Sequence, residues 1–241
     1  MFAESYNTQS LPKSQQLDGW RGWYDSLFDV TPADSRDQGF VATNSNWTAL
    51  GLTISNVASP ANTVGRTKSI IRRNPVDHWV LTVSMQSATD IETTRSAFEA
   101  PPATLFILSL GEEMRVRRTK QDTRVQLLLA RDSFEPIAPL LDAARGMALT
   151  TPTARLLADY VHLLRKNAPD LKPETFSAIR NAVQAMLAAF GGRDVPTQRV
   201  EHTKPLHGDL SGYVQTRHRL ATVRSEPSAH PRVTPDDRRE D

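Results

Sequence analysis

Two hydrophobic rhythms divide this chain. From Gln16 onward, Leu17, Trp20, Tyr24, Leu27 and Phe28 recur at helical spacing, and Val30-Thr31-Pro32 closes the run. The polar residues 1–15 before it read as a loose arm, with the aromatic stripe docking the helix on a larger body. Between Gln38 and about Arg131 the period becomes two. Leu50, Leu52 and Ile54 alternate with Gly51, Thr53 and Ser55; Trp79, Leu81, Val83 and Met85 alternate with His78, Val80, Thr82 and Ser84. Continuous apolar runs follow at residues 105–108 and 125–129, and residues 67–73 and 91–98 read as further, more polar strands. Short strands separated by turn residues predict a sandwich or barrel rather than βαβ units.

After Ser133 the period returns to that of a helix. Pro136, Ile137, Leu140 and Leu141 suggest a short linking helix. Thr151-Pro152 supplies an N-cap and a proline at the first helical position, ahead of an apolar face of Leu156, Leu157, Tyr160, Val161 and Leu164. A second helix opens near Pro173 with Phe176, Ile179, Val183, Met186 and Phe190 spaced three, four, three, four, and Gly191-Gly192 stops it. The pair is expected to form an antiparallel hairpin. That narrow seam packs either on the first helix or across a dimer interface, and a dimer makes Phe176, Ile179, Val183, Met186 and Phe190 its contact residues. The last 49 residues contain five prolines and no Ile, Phe, Met or Trp. Such a segment buries too little apolar surface to offset its ordering entropy, so residues 193–241 are expected to be disordered. Only residues 210–223 there hold enough pattern for a helical turn or two. The expected organisation is an arm and docking helix over 1–35, a β module over 36–135, a linker and hairpin over 136–192, and the tail.

Composition mainly excludes. Lys and Arg total 29 against 27 Asp and Glu, a net charge of +2 without long single-sign blocks, so the sequence pI near 9.0 is weak evidence for nucleic-acid binding. No cysteine is present, which removes disulfides, thiolate nucleophiles and Cys-based zinc sites. The first residues lack a secretory pattern, and no apolar run approaches the ~20 residues that span a bilayer. A cytoplasmic location without membrane attachment is expected. Four of the six histidines (His202, His207, His218, His230) fall in the tail at spacings that fit no metal site.

Several segments, in order, resemble the ligand-binding half of AraC-type transcription regulators. Residues 47–52 (WTALGL) resemble the early strand of that cupin-related domain. Arg66-Thr67 followed by Asp77-His78-Trp79-Val80-Leu81 resembles the stretch leading into its central strand. Residues 127–132 (LLLARD) resemble the strand and basic–acidic pair that close the barrel, and residues 154–160 (ARLLADY) the start of its first hairpin helix. The resemblance spans about Gln16 to Gly192. It departs at two turns: residues 101–104 (PPAT) stand where the family commonly has Pro-Gly-Asp, and Gln86-Ser87-Ala88 where it usually has a glycine. The resemblance implies an α+β fold, a cupin-like or jelly-roll β-barrel followed by the helical hairpin. It also implies a small-molecule effector of unknown identity, dimerisation, and an output domain of two helix-turn-helix units. The tail carries no periodicity for such units, so a truncated regulator without direct specific DNA binding is expected, acting as a homodimer or in mixed dimers with intact regulators.

Catalysis is not expected. A cupin metalloenzyme wants two or three inward histidines with a carboxylate, whereas the β region holds His78 alone. Neither a Gly-x-Ser-x-Gly elbow nor a phosphate-binding glycine loop occurs, and no metal or cofactor is implied. Binding remains: a barrel lined by Trp79, Leu81, Val83, Met85, Phe106 and Leu108 has room for an apolar or aromatic effector, although each also suits a plain core. Arg66, Arg72 and Arg73 suit an anionic group, or equally an exposed strand edge. The candidate ligand-binding residues are Arg66, His78, Trp79, Met85 and Phe106. The alternative is a stand-alone cupin-like binding protein or enzyme.

Overall fold

The structure, a computed structural model, describes residues 1–34 and 38–189. The period-two segments pair into two antiparallel sheets with a cupin-like arrangement. In spatial order, the seven-stranded sheet holds β1 (Phe2–Asn7), β3 (Thr43–Ala49), β4 (Leu52–Ser59), β11 (Asp122–Leu129), β6 (Trp79–Ser84), β9 (Leu105–Ser109) and β12 (Ala148–Leu149). The five-stranded sheet runs β2 (Asp29–Pro32), β5 (Asn62–Arg66), β10 (Met114–Arg118), β7 (Thr89–Thr93) and β8 (Ala97–Ala100). Five α-helices accompany them among the described residues: α1 (Lys13–Tyr24), α2 (Lys68–Arg73), α3 (Ala138–Ala143), α4 (Pro152–Asn167) and α5 (Thr175–Ala188).

Register sets which side chains share a face. Ile54 lies opposite Leu127, Leu127 opposite Leu81, and Leu81 opposite Ile107, so one apolar row crosses the middle of the large sheet. Leu52, Trp79, Val83, Leu105, Val125 and Leu129 share that face, and α4 packs on it. Thr151 caps α4 by accepting a hydrogen bond from Ala154 N at 3.2 Å, as its sequence predicts. The helix buries Ala154, Leu157, Val161 and Leu164 in the same core and leaves Leu156 and Leu163 outside, 61% and 53% exposed.

Three segments differ from their sequence pattern. Residues 1–15 are not a loose arm: β1 pairs along its length with β3, and the Thr8 hydroxyl donates to Phe40 O at 2.6 Å. Residues 67–73 form α2 rather than a strand, because the Thr67 hydroxyl caps Ile70 N and only Ile70 is buried, a contact that one helical turn supplies. Residues 91–98 divide between β7 and β8, folded back on each other with Ile91 opposite Phe98.

The a/d seam also has a partner inside the chain. Phe176, Ile179 and Val183 are buried in the core under the large sheet, and Met186 packs half-buried against it. Within this chain these four side chains therefore pack against its own core. Phe190 and the tail, with its expected disorder and its histidines, lie outside the described residues.

An ionic knot fastens the barrel to the helices. Arg131 pairs with Asp77 at 2.8 Å and Asp142 at 3.1 Å, and its guanidinium carbon lies 4.0 Å from the centre of the Trp79 ring. Trp79 Nε1 donates to Asp142 at 2.9 Å, and Arg145 joins Asp142 at 3.2 Å to Glu112 at 3.3 Å. Burial works against the Asp142 carboxylate. The hydrogen bonds from Arg131 and Trp79 and the charges of Arg145 and Arg131 outweigh it and hold its pKa below the ordinary 3.8. A depressed carboxylate pKa adds stability above its unfolded value, and that stability fades as pH falls through the folded one. Asp142→Asn is therefore expected to lower unfolding free energy by about 1–3 kcal/mol near neutrality. Urea unfolding should show this gap closing between about pH 4 and the acid limit; a constant gap would contradict the knot.

Candidate functional site

Because the side chains of a strand alternate, the other face of β6, β9 and β11 points away from the helices and toward the small sheet. Val80 and Thr82 on β6, Phe106 and Leu108 on β9, and Arg124 and Gln126 on β11 line a cavity there. Val64 on β5 and Met114, Val116 and Arg118 on β10 form the opposing wall, and Tyr24, Phe28 and Val30 close it from the N-terminal segment. Thr82 stands between Gln126 and Phe106 in register, and Gln126 Nε2 donates to its hydroxyl at 3.1 Å. The empty space, counted to the wall atoms and through an open mouth, is about 520 Å³.

Two arginines supply the charge. Arg118 ends β10 and Arg124 lies near the start of β11; they are 3% and 4% exposed. Arg124 Nη1 donates to Ser59 Oγ at 3.0 Å. Arg118 Nε lies 3.8 Å from Asp122 Oδ2, an ion pair without a hydrogen bond. Burial, and then the charge of Arg124, pushes the Arg118 pKa well below its ordinary value despite the pull of Asp122. Burial likewise lowers that of Arg124. Asp122 is engaged elsewhere: its Oδ1 accepts from the backbone N–H groups of Met85, Gln86 and Ser87 at 3.1, 2.9 and 3.2 Å. Those bonds hold the turn where a glycine is usual. At the second departure, Ala103 adopts a left-handed φ of 58°.

Of the residues singled out from sequence, the cavity takes Phe106 and also Leu108. Trp79, Leu81 and Val83 lie on the opposite face, in the core beneath the helices, and Met85 packs there half-buried. Arg66 is 1% exposed but serves the fold: its guanidinium donates to the carbonyls of Leu110 (2.6 Å), Leu27 (2.9 Å), Asn74 (2.8 Å) and Val76 (3.4 Å). Burial pushes its pKa down to about 10. His78 is 1% exposed and does not line the cavity, and Arg72 and Arg73 are exposed at the end of α2. Arg118, Arg124, Gln126 and Thr82 went unrecognised. A signal existed: Arg124 and Gln126 alternate with Val125, Leu127 and Leu129, a polar file that looks like a solvated face until a second sheet covers it.

Among the described residues, no group of three or more His, Asp or Glu side chains is placed to hold a metal ion, and no helix is long and apolar enough to cross a membrane. The solved structure of the AraC-like transcriptional activator CuxR matches with a TM-score of 0.74, at 23% identity over 93% of this chain and 80% of that one. Smaller likenesses, each with a TM-score near 0.3, are to the EutQ protein of Clostridium difficile (12% identity, 43% of this chain, 82% of that one, TM-score 0.31) and the ectoine synthase of P. lautus (13% identity, 46% of this chain, 78% of that one, TM-score 0.29). No curated protein matches the chain in sequence. The family model of the AraC-binding-like domain matches residues 24–190, which is more than half of the 241, and the chain belongs to that family.

Proposed function

We propose that this chain is the effector-sensing and dimerising part of an AraC-type transcription regulator, acting in the cytoplasm by binding rather than by catalysis. The effector sits in the cavity between the sheets. Residues 36–135 carry most of its walls, and 136–192, with α4 and α5 as an antiparallel hairpin, carry its consequence to a partner. One observation supports this above the others. The strands that wall the cavity (β6, β9 and β11) are the same strands on which α4 packs, so a ligand that shifts them shifts the helix. The cavity's polar groups (Tyr24, Thr82, Gln126 and the two arginines) include no carboxylate or imidazole to serve as a general base, which fits binding.

The dimer surface moves from the a/d seam to the outside of α4. Leu156 and Leu163 stand seven residues apart on one exposed stripe, with half-buried Tyr160 between them. A second copy of this chain covers that stripe in this reading.

Sedimentation equilibrium tests the dimer. The native chain should run as a dimer, and Leu156→Asp with Leu163→Asp as a folded monomer. Ile179→Asp, which buries an unpaired charge in the core, should lose about 4 kcal/mol or more of stability. A folded Ile179→Asp monomer beside an unchanged Leu156→Asp/Leu163→Asp dimer would return the interface to α5.

Native mass spectrometry tests the sensor. After exposure to a cell extract the native chain should carry a small-molecule adduct, and Val80→Trp, which fills the cavity, should not. An adduct retained by Val80→Trp would place the effector elsewhere.

A further inference from the structure

We infer that the effector is a small amphipathic monocarboxylate, its carboxylate held between Arg118 and Arg124 and its hydrocarbon lying against Phe28, Val80, Phe106 and Leu108. This rests on the cavity being the effector site. The molecule itself shows what a structural buried arginine looks like: Arg66 donates to four backbone carbonyls and leaves its guanidinium satisfied. Arg118, at 3% exposed, keeps a buried Nε with no hydrogen-bond partner, and the nearest carboxylate oxygen, Asp122 Oδ2, stands 3.8 Å from it. A guanidinium has five N–H donors in a planar fork, and leaving them unmet away from water is strongly unfavourable. Those of Arg118 belong to a side chain that lines empty space.

Charge then selects the ligand. Two guanidinium groups and the one carboxylate of Asp122 leave a local excess of one positive charge. Asp122 cannot turn to serve both arginines, because Oδ1 is tied to three backbone N–H groups of the turn after β6. One negative charge on a planar, two-oxygen group balances the excess and matches the fork. A phosphate monoester, at about −1.5 to −2 near neutrality, would overshoot it. The remaining lining is largely aliphatic and aromatic, with Thr82 and Gln126 as the neutral polar pair, so the rest of the ligand is apolar and short.

Isothermal titration of the full chain with hexanoate, hexan-1-ol and hexyl phosphate tests the assignment. Hexanoate should bind tightest of the three. Arg118→Met should weaken it by about tenfold or more, as loss of a charge-assisted hydrogen bond does, and should weaken hexan-1-ol far less. If Arg118→Met does not fold, Arg118→Lys, which keeps the charge but lacks the fork, should still weaken hexanoate relative to hexan-1-ol. Hexan-1-ol binding as well as hexanoate, with no effect of Arg118→Met, would overturn the anionic effector while leaving the cavity as the sensor. Tighter hexyl phosphate would overturn the carboxylate. No binding by any of the three would overturn the monocarboxylate, and the Val80→Trp adduct experiment then decides separately whether the cavity senses anything.

Discussion

Everything in this domain depends on three strands being buried on both faces. β6, β9 and β11 each present one row of side chains to the helices and the next row to the space between the sheets. The helix-facing row is filled by Trp79, Leu81, Val83, Ile107, Val125 and Leu127 against α4 and α5. The inner row, with Val80, Thr82, Phe106, Arg124 and Gln126, meets a small sheet that does not close fully over it. Packing on the first face fixes the register, and a one-residue slip would exchange the two rows. The apolar core is therefore what aims Arg124 inward, while Arg118 reaches the cavity from β10 of the small sheet.

This double burial explains what the sequence made legible and what it hid. The antiparallel sheets, the cap at Thr151 and the burial of Leu157, Val161 and Leu164 on α4 follow from period and capping chemistry, whereas Leu156, which shares their apolar pattern, is 61% exposed. The faces of β6 were harder, because all six of its residues are buried. With no solvated side to mark the outside, the pattern does not tell the face of Trp79, Leu81 and Val83 from the face of Val80 and Thr82. In β9 all five residues are buried as well, and Phe106 and Leu108 do face the cavity. The a/d seam of α5 is ambiguous for a related reason: a narrow apolar stripe is also what a helix needs when it lies over another helix and a linker turn. α2 was missed because a single buried side chain carries no periodicity.

The fold treats its buried cations in three ways. Arg66 is absorbed by backbone carbonyls at the junction of β5, α2 and the loop after β9. Arg131 is shared between two carboxylates and the face of Trp79. Arg118 and Arg124 stand together over one carboxylate that is already committed to a turn. Burying like charges with so little compensation is unfavourable for the empty domain, and functional sites are where folds tolerate such strain. The turn after β6 belongs to this arrangement, since Asp122 both accepts from its backbone N–H groups and lies 3.8 Å from Arg118.

Methyl NMR on the isoleucine, leucine and valine side chains, with hexanoate added to saturation, tests most directly whether cavity and helix form one mechanical unit. The account predicts shifts at Val80 and Leu108 in the cavity, accompanied by shifts at Leu157 and Val161 of α4, on the far side of the shared strands. Shifts confined to the cavity, with Leu157 and Val161 unmoved, would contradict it.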